Sequence, residues 1–331
     1  MSYCVSNCAP MYRFTTSLAL FLAISTFSAT RIRAQEDVCQ NRTLAISFLS
    51  YQLLPVSGIT PADLKATLHG KQVTIDSIAP DQRPHRIVLL LDVSGSMRAS
   101  WNKEITLAEM FFDENAQDSQ FALMAFNLTA ITSVRFSQGN AAVKSELEVM
   151  ARLPQDDIRG SSAIHDAIVS AVQLFDHPTS ADAIYLISDG MDDASKHSAG
   201  FVDRFLQGSS VRLFATIISR EPYAPFGQGD QLREFSTMVG HSGGQLAFSL
   251  GSIASGSNIA LHPNPKLPLT GDEAVRRFAR MASRDLEVQL KLPAPPSKYE
   301  HFRLEFTNAA RNRWKGTFIF YPTMISPCRR S

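Results

Sequence analysis

Residues 87–97 read IVLLLDVSGSM, an unbroken apolar run followed at once by a polar turn. Five consecutive branched apolar residues are typical of a strand that is buried on both faces of a parallel sheet. The polar residues that follow then lie at the carboxyl end of this strand, the side of a parallel sheet where ligands bind. The run therefore predicts a buried strand that presents one carboxylate and two hydroxyls at that edge.

Strand and helix patterns alternate on the carboxyl side of this run. Helices are predicted where apolar residues recur at three- and four-residue spacing, most clearly after Ala163. They cover about 98–113, 140–152, a stretch beginning near 163, 197–207 and 229–240. The predicted strands are 121–126, a short one near 134–136, 183–188, 211–218 and 245–248. Such alternation predicts an α/β fold over 85–250, with a doubly wound, mostly parallel sheet flanked by helices.

The segments on either side of this unit predict a small accessory β module. Before it, 35–84 contains strands at 43–54 and 66–78, and the polar stretch 79–86 resembles a module boundary. After it, 251–284 combines a linker with a helix at 270–283. The segment 285–331 contains alternating strands at 286–292, 301–306 and 314–321. We hypothesise that these C-terminal strands pack with the N-terminal ones.

The first 34 residues have the layout of a secretory signal peptide. Arg13 precedes the apolar stretch 18–27, and small residues lead to Ala34. Met11 is an alternative start, and a buried N-terminal helix is the alternative interpretation. No later segment is long and apolar enough to predict a membrane span. We therefore expect an exported protein, periplasmic or secreted.

The charge of the chain bears on its partners, and its cysteines bear on a possible disulfide. The 331-residue chain has a formal charge of +1, and without residues 1–34 it has 29 basic and 31 acidic residues, a net charge of −2. Nothing in this balance favours nucleic acid as a partner. Cys39 and Cys328 remain after the predicted cleavage, and in an oxidising compartment they either form a disulfide or stay as two free thiols.

Three loops carry the polar residues that are candidates for binding a ligand. One follows the strand at 87–91, one precedes the helix near 163, and one ends the strand at 183–188. Carboxyl ends of parallel strands meet at one edge of the sheet, so these loops should converge. Carboxylate and hydroxyl oxygens suit hard cations such as Mg²⁺, Mn²⁺ or Ca²⁺. The candidate metal ligands are Asp92, Ser94, Ser96, Ser162 and Asp189.

These loops resemble the three motifs of von Willebrand factor type A (VWA) domains. The motifs are DVSGSM at 92–97, GSSAIHDA at 160–167 and LISDG at 186–190, in the family's order and spacing. GITPADL at 58–64 and HGK at 69–71 are similar to a leader module of bacterial exported members. The resemblance implies a Rossmann-like fold with a metal-ion-dependent adhesion site at the five candidate ligands. One residue departs from the pattern, because the family usually has threonine where this chain has Ser162.

The resemblance implies binding rather than turnover. A cation held by two carboxylates can accept one more anionic oxygen, from a Glu or Asp of a partner protein. The alternative is a structural or assembly subunit of an envelope complex whose metal site is weak or unused. The partner's identity, the choice of cation and the oligomeric state stay open.

The sequence offers little support for an enzyme. Residues 93–97 read VSGSM, which does not fit the Gly-x-Ser-x-Gly elbow of hydrolases, and no phosphate-binding glycine loop is present. Near the candidate ligands, Asp166 is expected to be structural and His165 to lie at the surface. Asp192 and Asp193 are candidates for indirect support of the cation.

Overall fold

The computed structural model describes residues 39–50, 54–219, 229–250 and 271–328. The predicted signal peptide and most of the segment between the VWA-like unit and the C-terminal helix lie outside the described residues. The strands are β1 (Asn41–Leu49), β2 (Leu64–Leu68), β3 (Lys71–Pro80), β4 (His85–Asp92), β5 (Ser119–Phe126), β6 (Ala130–Val134), β7 (Ala183–Ser188), β8 (Arg212–Ser219), β9 (Leu246–Leu250), β10 (Leu286–Lys291), β11 (Glu300–Phe306), β12 (Phe318–Phe320) and β13 (Met324–Ile325). The helices are α1 (Trp101–Asn115), α2 (Asn140–Met150), α3 (Ile164–Gln173), α4 (Ala199–Ser209), α5 (Gly229–Ser242) and α6 (Gly271–Ser283).

Six strands form the α/β unit, in the order β6-β5-β4-β7-β8-β9. All neighbours are parallel except β5 and β6, which pair antiparallel. Strand β4 lies inside the sheet, and its residues 87–91 are all 0 % exposed. Ile87, Leu89 and Leu91 pack into the core on one face, whereas Val88 and Leu90 pack into the core on the other. The predicted α/β fold is confirmed.

Helices cover both faces of this sheet. On the first face, α1 contributes Trp101 and Phe111 to the core, and on the second, α3 contributes Ile168. Helix α6, which the sequence assigned to a linker segment, also packs on the first face against α1. Its Val275 and Phe278 are buried in that core, so α6 belongs structurally to the α/β unit. No helix in the described part of the chain has the length and apolar character of a membrane span.

The N- and C-terminal segments form a second sheet, in the order β12-β1-β10-β3-β2-β11-β13. Every pairing in it is antiparallel. One face buries a separate apolar core, which includes Ile46, Val288 and Phe302. Cys39 and Cys328 form a disulfide beside this sheet, with their Cα atoms 5.6 Å apart. This bridge ties the start of β1 to the chain beyond β13.

Several sequence-based boundaries were wrong. The strand predicted over 43–54 begins at Asn41 and ends at Leu49. The short strand near 134–136 lies earlier, as β6, and Phe136–Gln138 form a 3₁₀ turn. The strand predicted over 314–321 shrinks to β12, because Trp314 N–H donates to Ala310 O in a run of turns. The linker predicted at 79–86 is only four residues long, since β3 continues to Pro80 by pairing with β10.

Candidate functional site

The five candidate ligands all lie at the carboxyl edge of the six-stranded sheet. Asp92 ends β4, and Ser94 and Ser96 occupy the turn between β4 and α1. Ser162 precedes α3, and Asp189 follows β7, the parallel neighbour of β4. Asp92, Ser94 and Ser162 are buried, Asp189 is half-buried and Ser96 is exposed. The site is therefore buried at Asp92, Ser94 and Ser162 and accessible to solvent at Ser96.

The Asp92 carboxylate is the centre of this arrangement. Its Oδ1 accepts a hydrogen bond from Ser94 N–H at 2.9 Å. Its Oδ2 accepts bonds from Ser162 Oγ at 3.1 Å and from Ser188 Oγ at 2.6 Å. Ser94 Oγ lies 3.1 Å from Ser96 Oγ. Four of the five candidates are thus linked by direct contacts, and the fifth, Asp189, lies near enough for its charge to affect Asp92.

Backbone hydrogen bonds hold the loop before α3 against the loop after β4 and the end of β5. Gly95 N–H donates to Gly160 O at 2.9 Å, and Arg159 N–H donates to Val93 O at 3.0 Å. An added Cβ on Gly95 would lie 3.5 Å from Gly160 O, which is ordinary van der Waals contact, so the two loops pack closely here. Ala163 N–H donates to Asn127 O, which ties the loop before α3 to the end of β5. The side-chain oxygens are therefore held on a fixed frame.

Two residues of this site were not among the sequence-based candidates. Ser188, the last residue of β7, makes the shortest bond to Asp92. Glu104 in α1 is 0 % exposed, and its Oε1 accepts Asp92 N–H at 2.7 Å. Glu104 could have been found from its spacing in the helix. It lies three residues after Trp101 and four before Ala108, on the same buried face of α1. A carboxylate on the core face of a helix is uncommon unless it has a partner.

The electrostatics of the site are determined by two buried acids, Asp92 and Glu104, and by Asp189 near them. Burial raises the pKa of Asp92 to about 6, and Asp189 adds to the rise, although bonds from Ser188 and Ser94 oppose it. Burial and the charge of Asp92 also raise the pKa of Glu104 well above its usual range. Within the described residues, neither Asp92, Glu104 nor Asp189 has a cationic side chain at ion-pair distance.

Any cation at this edge would depend on hydroxyl as well as carboxylate oxygens. In the described parts of the chain, no three His, Cys, Asp or Glu side chains cluster as metal ligands. The available oxygens at the edge are instead two carboxylates, of Asp92 and Asp189, and three serine hydroxyls. This mixture is the kind of oxygen set that Mg²⁺, Mn²⁺ and Ca²⁺ accept.

The loop after Asp189 is anchored to the first turn of α3 by two reciprocal His–Asp pairs. His165 Nδ1 lies 3.1 Å from Asp192 Oδ2, and His197 Nδ1 lies 2.7 Å from Asp166 Oδ1. The side chain of His165 is only 14 % exposed, so the expectation of a surface residue was wrong. Burial would raise the pKa of Asp166, but bonds from Lys196 N–H and His197 outweigh it, and the pKa is lowered.

The neighbouring acid Asp193 has a different role. Its side chain is exposed, whereas its backbone N–H donates to Ser162 O at 2.9 Å. Ala194 N–H donates to the same oxygen at 3.1 Å. The backbone of this loop therefore fixes Ser162, while the Asp193 carboxylate remains at the surface.

Comparison with known proteins identifies the domain that carries this site. Residues 87–191 match the family model of the von Willebrand factor type A domain. This part of the chain is a VWA domain. The match includes all five candidate ligands. No curated protein matches the chain.

Several solved structures are similar to this chain. A conserved hypothetical protein, BatB from Bacteroides thetaiotaomicron, is 20 % identical over 40 % of this chain and 66 % of its own, with a TM-score of 0.33. A von Willebrand factor type A protein from Catenulispora acidiphila is 13 % identical over 87 % of this chain and 74 % of its own, with a TM-score of 0.39. An aerotolerance-related membrane protein from Bacteroides fragilis is 15 % identical over 60 % of this chain and 88 % of its own, with a TM-score of 0.34. This chain spans slightly less than two thirds of the BatB chain.

Proposed function

We propose that the carboxyl edge of the six-stranded sheet is a metal-ion-dependent adhesion site. Asp92, Ser94, Ser96, Ser162 and Asp189 would hold Mg²⁺, Mn²⁺ or Ca²⁺, and the cation would accept a Glu or Asp carboxylate from a partner protein. The observation that carries the proposal is the Asp92 carboxylate, which is 0 % exposed and accepts bonds from hydroxyls, with no cationic side chain beside it among the described residues.

The charge balance supports a divalent cation. An ionised carboxylate that is buried without a counter-charge is costly, and proteins pair such groups or use them to bind metals. The carboxylates of Asp92 and Asp189 together carry two negative charges, which a divalent cation neutralises. The hydroxyls that now donate to Asp92 can rotate, so that their oxygens serve as ligands instead.

The shape of the site supports an acidic partner. Ser96 is exposed and Asp189 is half-buried, so one side of the cation would face solvent. A carboxylate from a partner can reach that side, and a charge-assisted contact of this kind is strong and directional. The site would thereby give specificity to an interface without catalysing a reaction, and we propose a binding protein rather than an enzyme.

The location and the partner class follow from the sequence. The signal-peptide pattern in residues 1–34 supports export to the periplasm or the cell exterior. The near-neutral charge offers no support for nucleic acid. We propose that the protein acts in adhesion or recognition in that compartment, with another protein as the ligand.

A second candidate function is that of an assembly subunit in an envelope complex. The observation that favours it is the seven-stranded sheet of β1–β3 and β10–β13, which offers a surface away from the metal edge. In this case the VWA domain would serve as a scaffold, and the accessory sheet would contact the neighbouring subunits. The cation would then be weakly bound or unused.

Melting temperature with and without metal tests the first function against the second. The chain from Gln35 onward is first treated with EDTA and then given excess Mg²⁺, Mn²⁺ or Ca²⁺. A cation at 100 times its dissociation constant stabilises the folded state by about 2.7 kcal/mol, which raises the melting temperature by several degrees. The Asp92→Ala, Asp189→Ala double variant should lose this rise.

The exposed acid Asp193 provides the matched control. Asp193→Ala removes a nearby negative charge but no candidate ligand, so its metal-dependent rise should equal that of the wild-type chain. The absence of any rise in the wild-type chain would contradict the metal site and favour the assembly subunit. An equal rise in the double variant would place the cation elsewhere.

A further inference from the structure

A small cavity lies between strand β1 and helix α6, where the seven-stranded sheet meets the α/β unit. Its volume is about 120 Å³. Arg277 and Arg280 of α6 line it, together with Arg284 just beyond the end of the helix. These positions are three and four residues apart, so they lie on one side of the helix. No Asp or Glu is among the described residues that line the cavity, so the charged groups in its walls are all cations.

Arg277 is the most deeply buried of the three arginines. It is 9 % exposed, whereas the side chains of Arg280 and Arg284 are 34 % and 55 % exposed. Its Nη2 pairs with Glu273, one turn earlier in α6, whose side chain is 48 % exposed. Its Nη1 is buried and has no hydrogen-bond acceptor among the described residues. A buried guanidinium N–H without an acceptor is costly, and an anion in the adjoining cavity would supply one.

The acids that pair with Arg280 and Arg284 lie outside the cavity. Arg280 Nε donates to Glu114 Oε1 at 2.9 Å, and Arg284 Nη2 donates to Asp118 Oδ2 at 3.3 Å. Neither acid lines the cavity. A guanidinium group has five N–H donors, and each of these bonds uses one of them. Both arginines therefore keep donors for a second acceptor.

The opposite wall of the cavity adds hydroxyl groups and apolar surface. Ser47 of β1 and the exposed Ser57 line it, and Ser47 lies two residues before Leu49, on the same face of β1. Leu49 packs into the core that also contains Met281 of α6, and both residues line the cavity. The site therefore combines cationic and hydroxyl donors with an apolar wall.

We infer that this cavity is a binding site for a phosphate-type oxyanion, held by Arg277, Arg280 and Arg284. A phosphate group has three or more acceptor oxygens and up to two negative charges, so three guanidinium groups can share it, whereas a carboxylate has two oxygens and one charge. The cavity has the volume of roughly four water molecules in the liquid, which admits one such group but not a drug-sized ligand. None of the described residues that line it is a candidate metal ligand, and the inference does not depend on the proposed function.

Titration of inorganic phosphate into the chain from Gln35 onward, with EDTA present and the ionic strength held constant, tests the inference. Calorimetry measures the dissociation constant, and the melting temperature gives a second readout. Arg280→Gln should weaken binding roughly 10–100-fold, because it removes hydrogen bonds between charged groups. Arg277→Gln should weaken it at least as much. Arg276→Gln is the matched control and should bind as the wild-type chain does, since Arg276 is an exposed arginine of the same helix that does not line the cavity.

The comparison among variants separates a site from a general effect of the salt. Phosphate also stabilises folded proteins because it is excluded from their surface, but that effect does not saturate and is shared by all variants. Saturable binding that weakens in Arg277→Gln and Arg280→Gln but not in Arg276→Gln would support the site. No saturable binding by the wild-type chain, or equal affinities of all four chains, would overturn it. The half-exposed position of Arg280 keeps the test valid if Arg277→Gln does not fold.

Two further arms identify the anion and its source. Acetate at the same ionic strength should bind much more weakly, and binding as tight as that of phosphate would overturn the assignment to phosphate. Phosphatidylcholine vesicles with and without phosphatidic acid are then sedimented with the chain. Cosedimentation that requires phosphatidic acid and falls for Arg280→Gln would support the inference with a lipid headgroup as the source. Binding of inorganic phosphate without cosedimentation would support it with a soluble phosphate as the ligand.

Discussion

The two ends of the six-stranded sheet both bury acidic side chains but treat their charge differently. At the amino end, Asp182 precedes β7, and Arg86 of β4 binds it through two hydrogen bonds of 2.7 and 2.9 Å. Asp285 lies beside the start of β8, and Arg212 pairs with it at 2.7 Å. Both acids are at most 2 % exposed. Buried acids at this end therefore have their own cations.

At the carboxyl end, Asp92 and Glu104 are equally buried, yet no arginine or lysine among the described residues pairs with them. Their hydrogen-bond partners are hydroxyl and backbone groups, which carry no net charge. The amino end thus places a cation beside each of these acids, although burial still outweighs Arg212 and raises the pKa of Asp285. The carboxyl end has no such cation among the described residues, which is why we propose the metal site there.

The largest expected effect comes from removing a cation at the amino end. Arg212→Met leaves Asp285 buried without its partner and also removes the bonds from Arg212 to Met281 O and Ala282 O. Breaking a buried pair on one side costs about 3–5 kcal/mol. We expect a loss of that size in the free energy of unfolding, measured by urea denaturation, with no dependence on added metal.

Two controls belong with this variant. Adding Asp285→Leu to Arg212→Met should recover much of the loss, because the unpaired charge is then gone. Arg284→Gln breaks the exposed pair with Asp118 and should cost less than about 1 kcal/mol. A cost for Arg212→Met as small as that for Arg284→Gln would mean that the amino end does not depend on charge pairing.

A smaller effect is expected at the carboxyl end, with the opposite sign. Burial raises the pKa of Asp92 from 3.8 to about 6, so ionisation of Asp92 disfavours the metal-free folded state. Protonated Asp92 therefore stabilises the metal-free fold, and this contribution is fully present below about pH 4 and is lost as the pH rises through 6. One pKa unit corresponds to 1.36 kcal/mol, which gives a ceiling of about 3 kcal/mol.

Asp92→Asn should therefore be more stable than the wild-type chain in EDTA at pH 7.5, and about equally stable at pH 4. Urea denaturation at both pH values measures the difference. With excess Mg²⁺ at pH 7.5 the order should reverse, because only the wild-type chain binds the cation. A metal-free Asp92→Asn variant that is less stable at pH 7.5 would contradict the contrast between the two ends.

The smallest effect is expected from Ser162→Thr, which restores the residue typical of the family. The added methyl restricts rotation about χ1, so less rotamer entropy is lost when the hydroxyl binds the cation. We expect the affinity for Mn²⁺ to rise about threefold, or roughly 0.6 kcal/mol, by calorimetry. Ser161→Thr, at the exposed neighbouring position, should leave it unchanged. A fall for Ser162→Thr would mean that the buried site has no room for the methyl.

Much of the α/β unit could be predicted because its signals are local. Every side chain of the run 87–91 is apolar, so both faces of the strand must be buried to remove them from water. In the structure these residues alternate between the two cores. The alternation of strands and helices then placed the three polar loops at one edge, where the structure has them. Helix α6 was harder to assign, since its spacing shows an apolar face but not the surface that this face covers.

The site itself shows the limit of such reasoning. The residues Asp92, Ser94 and Ser96 could be selected from the sequence because a turn of this composition directly follows a buried strand. Ser188 and His165 could not be, because a serine at a strand end and a histidine in a helix have many roles. Only the fold places the hydroxyl of Ser188 2.6 Å from Asp92, and the ring of His165 against Asp192.

The sequence by itself determined the strand at 87–91, the order of the alternating elements and the loops that carry the candidate ligands. These follow from local periodicity and from the rule that parallel strands end at one edge. Only the tertiary structure decided which buried acids have cationic partners. Arg212 and Asp285 are 73 positions apart in the chain and Arg86 and Asp182 are 96, whereas Asp92 and Glu104 are only 12 apart and have no cationic partner among the described residues. Charge pairing depends on distances in space, and sequence separation does not reveal them.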